Sequence, residues 1–133
     1  MNKHKAIICV DDDKTILSAL RFQLGKILHK NTIIEIAENG YEALEIIEEL
    51  LADDTEIPIV VSDQIMPEMQ GNELVSLIGA KFPSVKCILL TGYIEPIEND
   101  KLVNESGNLL AVINKPWDEQ QLIELITPHY NNG

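Results

Sequence analysis

The chain has 133 residues, 45% of them hydrophobic, and a net charge of −12 from 22 acidic and 10 basic side chains. That size and apolar content suit one domain with one core and call for no disulfide or metal staple, while the charge repels nucleic-acid phosphates and anionic lipid. No apolar run approaches the roughly 20 residues of a membrane span, and the start Met1-Asn2-Lys3-His4-Lys5 lacks the long apolar stretch and cleavage site of a secretory signal.

Ala6–Val10 is short and continuously apolar, the pattern of a parallel strand covered on both faces. From Lys14 to Lys30 the apolar residues Ile16, Leu17, Leu20, Leu24, Ile27 and Leu28 return every three to four positions, which is one face of a helix. Thr32–Glu38 is β-branched but interrupted by Glu35, as expected at a sheet edge. Asn39 caps the next helix, and Glu42 gives it a box-like start. That helix turns Ala43, Leu44, Ile47, Leu50 and Leu51 inward, with Glu42, Glu45, Glu48 and Glu49 as a solvated face. Ile57–Val61 is the most buried-looking strand and ends in Ser62-Asp63.

After the turn "QIMPEMQG" a helix is expected over Asn72–Phe82, with Leu74, Leu77, Ile78 and Phe82 inward. Cys87–Leu90 is the fourth strand, ending at Thr91-Gly92. The segment Ile94–Ser106 carries only Ile97, Leu102 and Val103 as a thin stripe, so it is expected to be the least firmly docked helix. Leu109–Ile113 is the fifth strand, ending in Asn114-Lys115-Pro116. Asp118 with Gln121 opens the last helix, which buries Leu122, Leu125 and Ile126. Cys9 and Cys87 lie inside apolar runs and read as reduced core residues of a cytoplasmic protein. His4, His29 and His129 are scattered and form no ligand set.

Strand and helix alternate five times, which implies right-handed crossovers and a parallel sheet between two helix layers. In such a sheet every strand's C-terminal end lies on one edge, where ligands bind. Those ends carry Asp11 and Asp12, Asp63, Thr91 and Gly92, and Lys115. Helix capping alone would explain the trio Asp11-Asp12-Asp13, and Asp13 fits a helix start. Capping does not explain Asp63 and Lys115 at the same edge. Crowded carboxylates suit a hard divalent cation such as Mg²⁺, which would remove their mutual repulsion and leave a site for a phosphoryl group. Phosphoryl transfer needs mainly positioning and charge neutralisation. Asp63, alone at a rigid strand end, is the expected nucleophile. Lys115, the Thr91 hydroxyl and backbone N–H groups beside Gly92 can hold phosphoryl oxygens.

The stretches "ICVDDD", "IVVSDQIMPEMQG", "ILLTG" and "INKPW" stand in the order and at the spacing of the receiver domain of two-component response regulators, which the chain resembles over essentially its whole length. The resemblance implies a flavodoxin-like (βα)5 doubly wound parallel sheet of order 2-1-3-4-5 over residues 1–130, with 131–133 a tail or the start of a linker. For that strand order the receiver fold is itself a standard example. By position, Asp12 matches a direct Mg²⁺ ligand, Asp11 a ligand through water, and the backbone carbonyl of Ile65 completes the metal shell. Asp63 matches the phosphoacceptor, Thr91 and Lys115 the groups that hold the phosphoryl oxygens, and Gly92 a backbone contact to them. The Lys115-Pro116 bond is expected to be cis. A sensor histidine kinase or histidine phosphotransfer protein is the implied donor. The implied receiver of the signal is an output domain or partner protein that reads the face of Ile94–Ser106, the fifth strand and the last helix, and a phosphorylation-dependent homodimer is a further expectation. The chain would be a phosphoacceptor that supports its own phosphorylation and dephosphorylation, not an enzyme acting on a separate substrate.

Three features depart from the family pattern. Val112 stands where the family has its switch aromatic, Gln70 where Asp or Ser often precedes the glycine, and Ile65 and Tyr93 place bulk beside the site, where they are expected to shield an aspartyl phosphate from water. Trp117, in place of the commoner Phe, reads as a packing residue. Two rivals compete. Asp11-Asp12-Asp13-Lys14-Thr15 satisfies the D-x-D-x-T motif of haloacid-dehalogenase-type phosphatases, but that reading leaves Asp63 without a role. A degenerate receiver that binds its partner regardless of phosphorylation is the other, although every reactive residue is present.

Overall fold

A computed structural model describes residues 4–28, 32–92 and 107–131. In chain order its elements are β1 (Lys5–Val10), α1 (Lys14–Ile27), β2 (Thr32–Ala37), α2 (Gly40–Ala52), β3 (Glu56–Asp63), α3 (Gly71–Lys81), β4 (Lys86–Thr91), β5 (Leu109–Asn114) and α4 (Glu119–Asn131). The helix expected over Ile94–Ser106 lies outside the described residues, as do Tyr93 and His29, so α4 here is the last helix.

All strand pairs are parallel and the order is β2-β1-β3-β4-β5, the flavodoxin-like arrangement expected. Side chains alternate across the sheet, and each strand therefore feeds two cores. Ile8, Val10, Val60, Cys87 and Leu89 pack with Ala43 and Ile47 of α2 and Leu74, Val75 and Ile78 of α3. Ile7, Cys9, Ile59, Val61, Ile88, Leu90 and Ile113 pack with Leu17, Leu20 and Leu24 of α1 and Leu122 and Ile126 of α4. No described helix is long and apolar enough to cross a membrane.

Pro58 lies in β3, the middle strand, where a missing N–H is normally excluded. The pairing of β1 with β3 shows why it is tolerated: Lys5 pairs with Glu56 but Ile7 with Ile59, so β3 carries an extra residue at the position of Pro58. The bulge absorbs the residue that cannot donate.

The caps form largely as expected. Asp13 accepts the N–H of Thr15 at 2.8 Å and Asn39 that of Glu42 at 2.9 Å. Glu42 reaches back to the N–H of Glu38 at 3.3 Å rather than to the cap residue, so the box closes one residue early. Asp118 accepts the N–H of Gln120 at 3.0 Å. Two inward expectations fail: Leu77 and Ile27 are exposed. In α3 the buried stripe runs through Gly71, Leu74, Val75 and Ile78, and Leu77 stands off that 3.6-residue period. Helix α1 ends at Ile27, with Leu28 already extended; the rest of the turn expected up to Lys30 lies outside the described residues.

Candidate functional site

The alternation that builds the core next to α1 and α4 also builds the site. Continuing Ile7 and Cys9 by two residues gives Asp11; continuing Ile59 and Val61 gives Asp63; continuing Ile113 gives Lys115. Each strand end is held in the ladder by its neighbour. The N–H of Asp11 bonds the Ala37 carbonyl at 3.1 Å, that of Gln64 the Leu90 carbonyl at 3.1 Å, and that of Lys115 the Thr91 carbonyl at 2.6 Å. Polar side chains thus replace apolar ones on the same face, where the strands pass the end of the helix layer.

The Lys115 Nζ lies 3.0 Å from Asp11 Oδ2 and 3.1 Å from Asp63 Oδ1, bridging the ends of β1 and β3. Carboxylate oxygens of Asp11, Asp12 and Asp63 all lie within 4.8 Å of one another. Asp11 is only 1% exposed and Asp63 8%, whereas Asp12 faces water. Burial raises the pKa of Asp11, opposed by the N–H of Asp13 and by Lys115, with Asp63 adding to the rise. Burial alone would lower the Lys115 ammonium, but the hydrogen bonds and charges of Asp11 and Asp63 together outweigh it and hold its pKa above the ordinary value. One ammonium against three carboxylates leaves a net negative cluster of oxygen donors. That composition fits a hard divalent cation.

Thr91 is buried at the end of β4, one residue past Leu90, the register partner of Asp63. In the pleat it is in phase with Cys87 and Leu89, on the α2 and α3 side, unlike the three charged strand-end residues. Gly92 follows it, exposed, with open space where a Cβ would stand. Ile65 is 65% exposed, so its side chain stands in water at the rim and is not packed into either core. The Lys115-Pro116 peptide is cis, as the resemblance implied. Trp117 packs against the α1 and α4 core and donates its indole N–H to Gln23 Oε1 at 2.8 Å, a packing role as expected. Val112 packs at the edge of the other core.

The phosphatase-type reading fares badly on the same geometry. It needs Asp13 and acidic groups after the lysine, yet Asp13 caps α1 and Asp118 caps the first turn of α4, and the clustered third carboxylate is Asp63.

Sequence reasoning passed over the loop after β3. Met66 and Met69 are buried there, and Met69 fills the space beside Gly40: a Cβ on Gly40 would lie 2.5 Å from Met69 Sδ. Gln64 and Asn72 bond across the same loop. The only sequence signal was the spacing of two methionines within a segment otherwise polar enough to read as a turn.

A family model of the response regulator receiver domain matches residues 7–127. The chain belongs to that family. This receiver is 33% identical over 123 residues to an uncharacterized 14.6 kDa protein of Leptolyngbya boryana, covering 90% of this chain and 86% of that one. It is 33% identical over 117 residues to the uncharacterized transcriptional regulatory protein YesN of Bacillus subtilis, covering 88% of this chain but only 30% of that protein. Among solved structures it is similar to a CheY-like response regulator receiver domain protein of Methanospirillum hungatei, with 29% identity, a TM-score of 0.78, and coverage of 96% of this chain and 94% of that one. The acidic cluster beside the Lys115 bridges has the arrangement of a receiver's phosphoacceptor site.

Proposed function

We propose that residues 1–130 form a working receiver unit that accepts a phosphoryl group on Asp63 from the phosphohistidine of a sensor histidine kinase or histidine phosphotransfer protein, in the cytoplasm. The observation that supports it most is the convergence of Asp11, Asp12, Asp63 and Lys115 from three strand ends. An oxygen of Asp63 forms a bond to phosphorus as the bond from phosphorus to the donor imidazole nitrogen breaks, and the electron pair leaves with the imidazole. Lys115 lies between two carboxylates and can follow the developing charge onto the phosphoryl oxygens. Thr91, out of phase with the acidic groups in the pleat, would turn its hydroxyl toward those oxygens, and the N–H groups beside Gly92 would meet them from the backbone. Asp11, Asp12, Asp63 and the carbonyl of Ile65 are the groups that would hold Mg²⁺, which when bound neutralises charge on carboxylates and phosphoryl group alike. The movement of Thr91 is the start of a signal read by an output domain or partner protein at β5, α4 and the segment 94–106. That readout works only if the phosphorylated site binds the active arrangement better than the inactive one.

Incubation with phosphoramidate and Mg²⁺ tests this directly. The expected product carries one phosphoryl group on the peptide containing Asp63, labile to hydroxylamine, and Asp63→Asn abolishes it. An adduct on Asp11, or one that survives Asp63→Asn, overturns the assignment.

A further inference from the structure

Every polar group of Gln64, the residue after the phosphoacceptor, is engaged. Its N–H lies 3.1 Å from the Leu90 carbonyl and 2.9 Å from Asp63 Oδ1. Its carbonyl accepts the N–H of Gly71 at 2.9 Å. Its side-chain Oε1 accepts the N–H of Asn72 at 2.9 Å, and Nε2 donates to Asn72 Oδ1 at 3.1 Å and to Gln70 Oε1 at 3.5 Å. Gln70 holds the N-cap position of α3 but makes no side-chain cap hydrogen bond. Two of the first-turn donors that a helix leaves unpaired, the N–H groups of Gly71 and Asn72, are therefore met here from outside the helix, by residue 64.

We propose that Gln64 is a positioning residue for phosphoryl transfer: by capping α3 from the end of β3, it holds the Asp63–Gln64 peptide so that its N–H fixes the rotation of the Asp63 carboxylate. The proposal rests on Asp63 being the phosphoacceptor. The N–H of Gln64 and the ammonium of Lys115 meet the same oxygen, Asp63 Oδ1, so the carboxylate is clamped between a backbone donor and a side-chain donor. The backbone donor is only as well placed as its peptide. That peptide is pressed against α3, since a Cβ on Gly71 would stand 2.3 Å from the Asp63 carbonyl oxygen and 2.9 Å from Gln64 Cα. Without the side-chain cap, the 63–64 peptide keeps its ladder bond to the Leu90 carbonyl but only one tie to the helix, the Gly71 bond, so it can tilt about the ladder. In-line attack is sensitive to displacements of about 1 Å.

A cap that merely stabilises α3 and a cap that positions Asp63 are separated by giving the helix a cap of its own. Gln64→Leu removes the outside cap, and Gln64→Leu/Gln70→Asp supplies one at the N-cap position itself. With phosphoramidate and Mg²⁺, Gln64→Leu is expected to lower the labelling rate at saturating donor roughly tenfold, to leave the half-saturating donor concentration within about twofold, and to lower Tm by about 4 °C. The double variant is expected to recover Tm but not the rate. Recovery of both, or a wild-type rate in Gln64→Leu, overturns the proposal and leaves Asp63 as the phosphoacceptor. A wild-type chain that takes up no label on Asp63 is a different result, which overturns the reading of Asp63 and this assignment with it.

Discussion

Ile65 is expected to set the lifetime of a phosphoryl group on Asp63 more than the rate of its formation. It follows Asp63 by two residues, and its side chain is 65% exposed and tied to neither core. A branched apolar group beside a phosphorylated Asp63 would remove water positions, whereas an amide in its place would hold a water for attack on phosphorus. Ile65→Asn is therefore expected to speed loss of the phosphoryl group roughly tenfold, about 1.4 kcal/mol of barrier, with the rate of labelling changed much less. Decay of the labelled chain after donor removal, followed by intact mass, measures this; an unchanged decay rate counts against a shielding role. Residues such as Asp11, Asp63 and Lys115 were legible in the sequence because a charge at the end of an apolar run has few innocent explanations. Gln64 was not legible, because an exposed-looking glutamine in a turn carries no signal until its partners across the loop are known.

At the scale of elements, the strand and helix pattern of the described residues could be read from periodicity nearly throughout, and its failures there have local causes. Leu77 sits off the buried stripe of its helix, which a count of apolar residues does not distinguish from the stripe itself, whereas Ile27 keeps the period of Leu20 and Leu24 but is the last residue of α1. The buried methionines after β3 belong to no periodic element, so no period revealed them. Where two elements meet closely, backbone atoms decide what is allowed. Gly71 opens α3 against the end of β3, and a Cβ there would approach the Asp63 carbonyl oxygen to 2.3 Å and Leu89 Cδ2 to 2.8 Å. Neither the strand backbone nor the packed leucine can yield freely, so Gly71→Ala is expected to cost about 2–3 kcal/mol of stability and to depress labelling of Asp63 as well. Gly25, inside α1, has open space where its Cβ would go. Gly25→Ala is accordingly expected to add about 0.5–1 kcal/mol. Urea denaturation of the two variants should move the midpoint in opposite directions; a shared direction would show that helix propensity, not the contact with β3, governs both.

For the molecule as a whole, the question is whether two cores divided by one sheet behave as one cooperative unit. Strand β3 supplies Ile57 and Val60 to one core and Ile59 and Val61 to the other, so releasing either helix layer strips one face of the central strand. Opening one core alone should therefore be nearly as unfavourable as unfolding the sheet. The chain carries its own reporters, because Cys9 lies in the α1 and α4 core and Cys87 in the α2 and α3 core. Burial pushes both thiols up to about 12, and only the thiolate reacts with a disulfide reagent. At pH 8 native labelling must pass through an open state in which the thiol recovers an ordinary pKa. The two cysteines are then expected to label at rates within about threefold of each other, both far slower than in urea, since they share the same opening. Raising the pH has a second effect of definite sign. The folded thiol pKa lies above the unfolded one, so the thiols' contribution to stability is complete below the ordinary thiol pKa near 9 and is lost as pH climbs toward about 12. Labelling followed by mass spectrometry between pH 7 and 10 resolves both effects. If Cys87 labels many times faster than Cys9 throughout, the α2 and α3 layer opens by itself, and a phosphorylation signal starting at Thr91, on that side of the sheet, could spread without disturbing the opposite core.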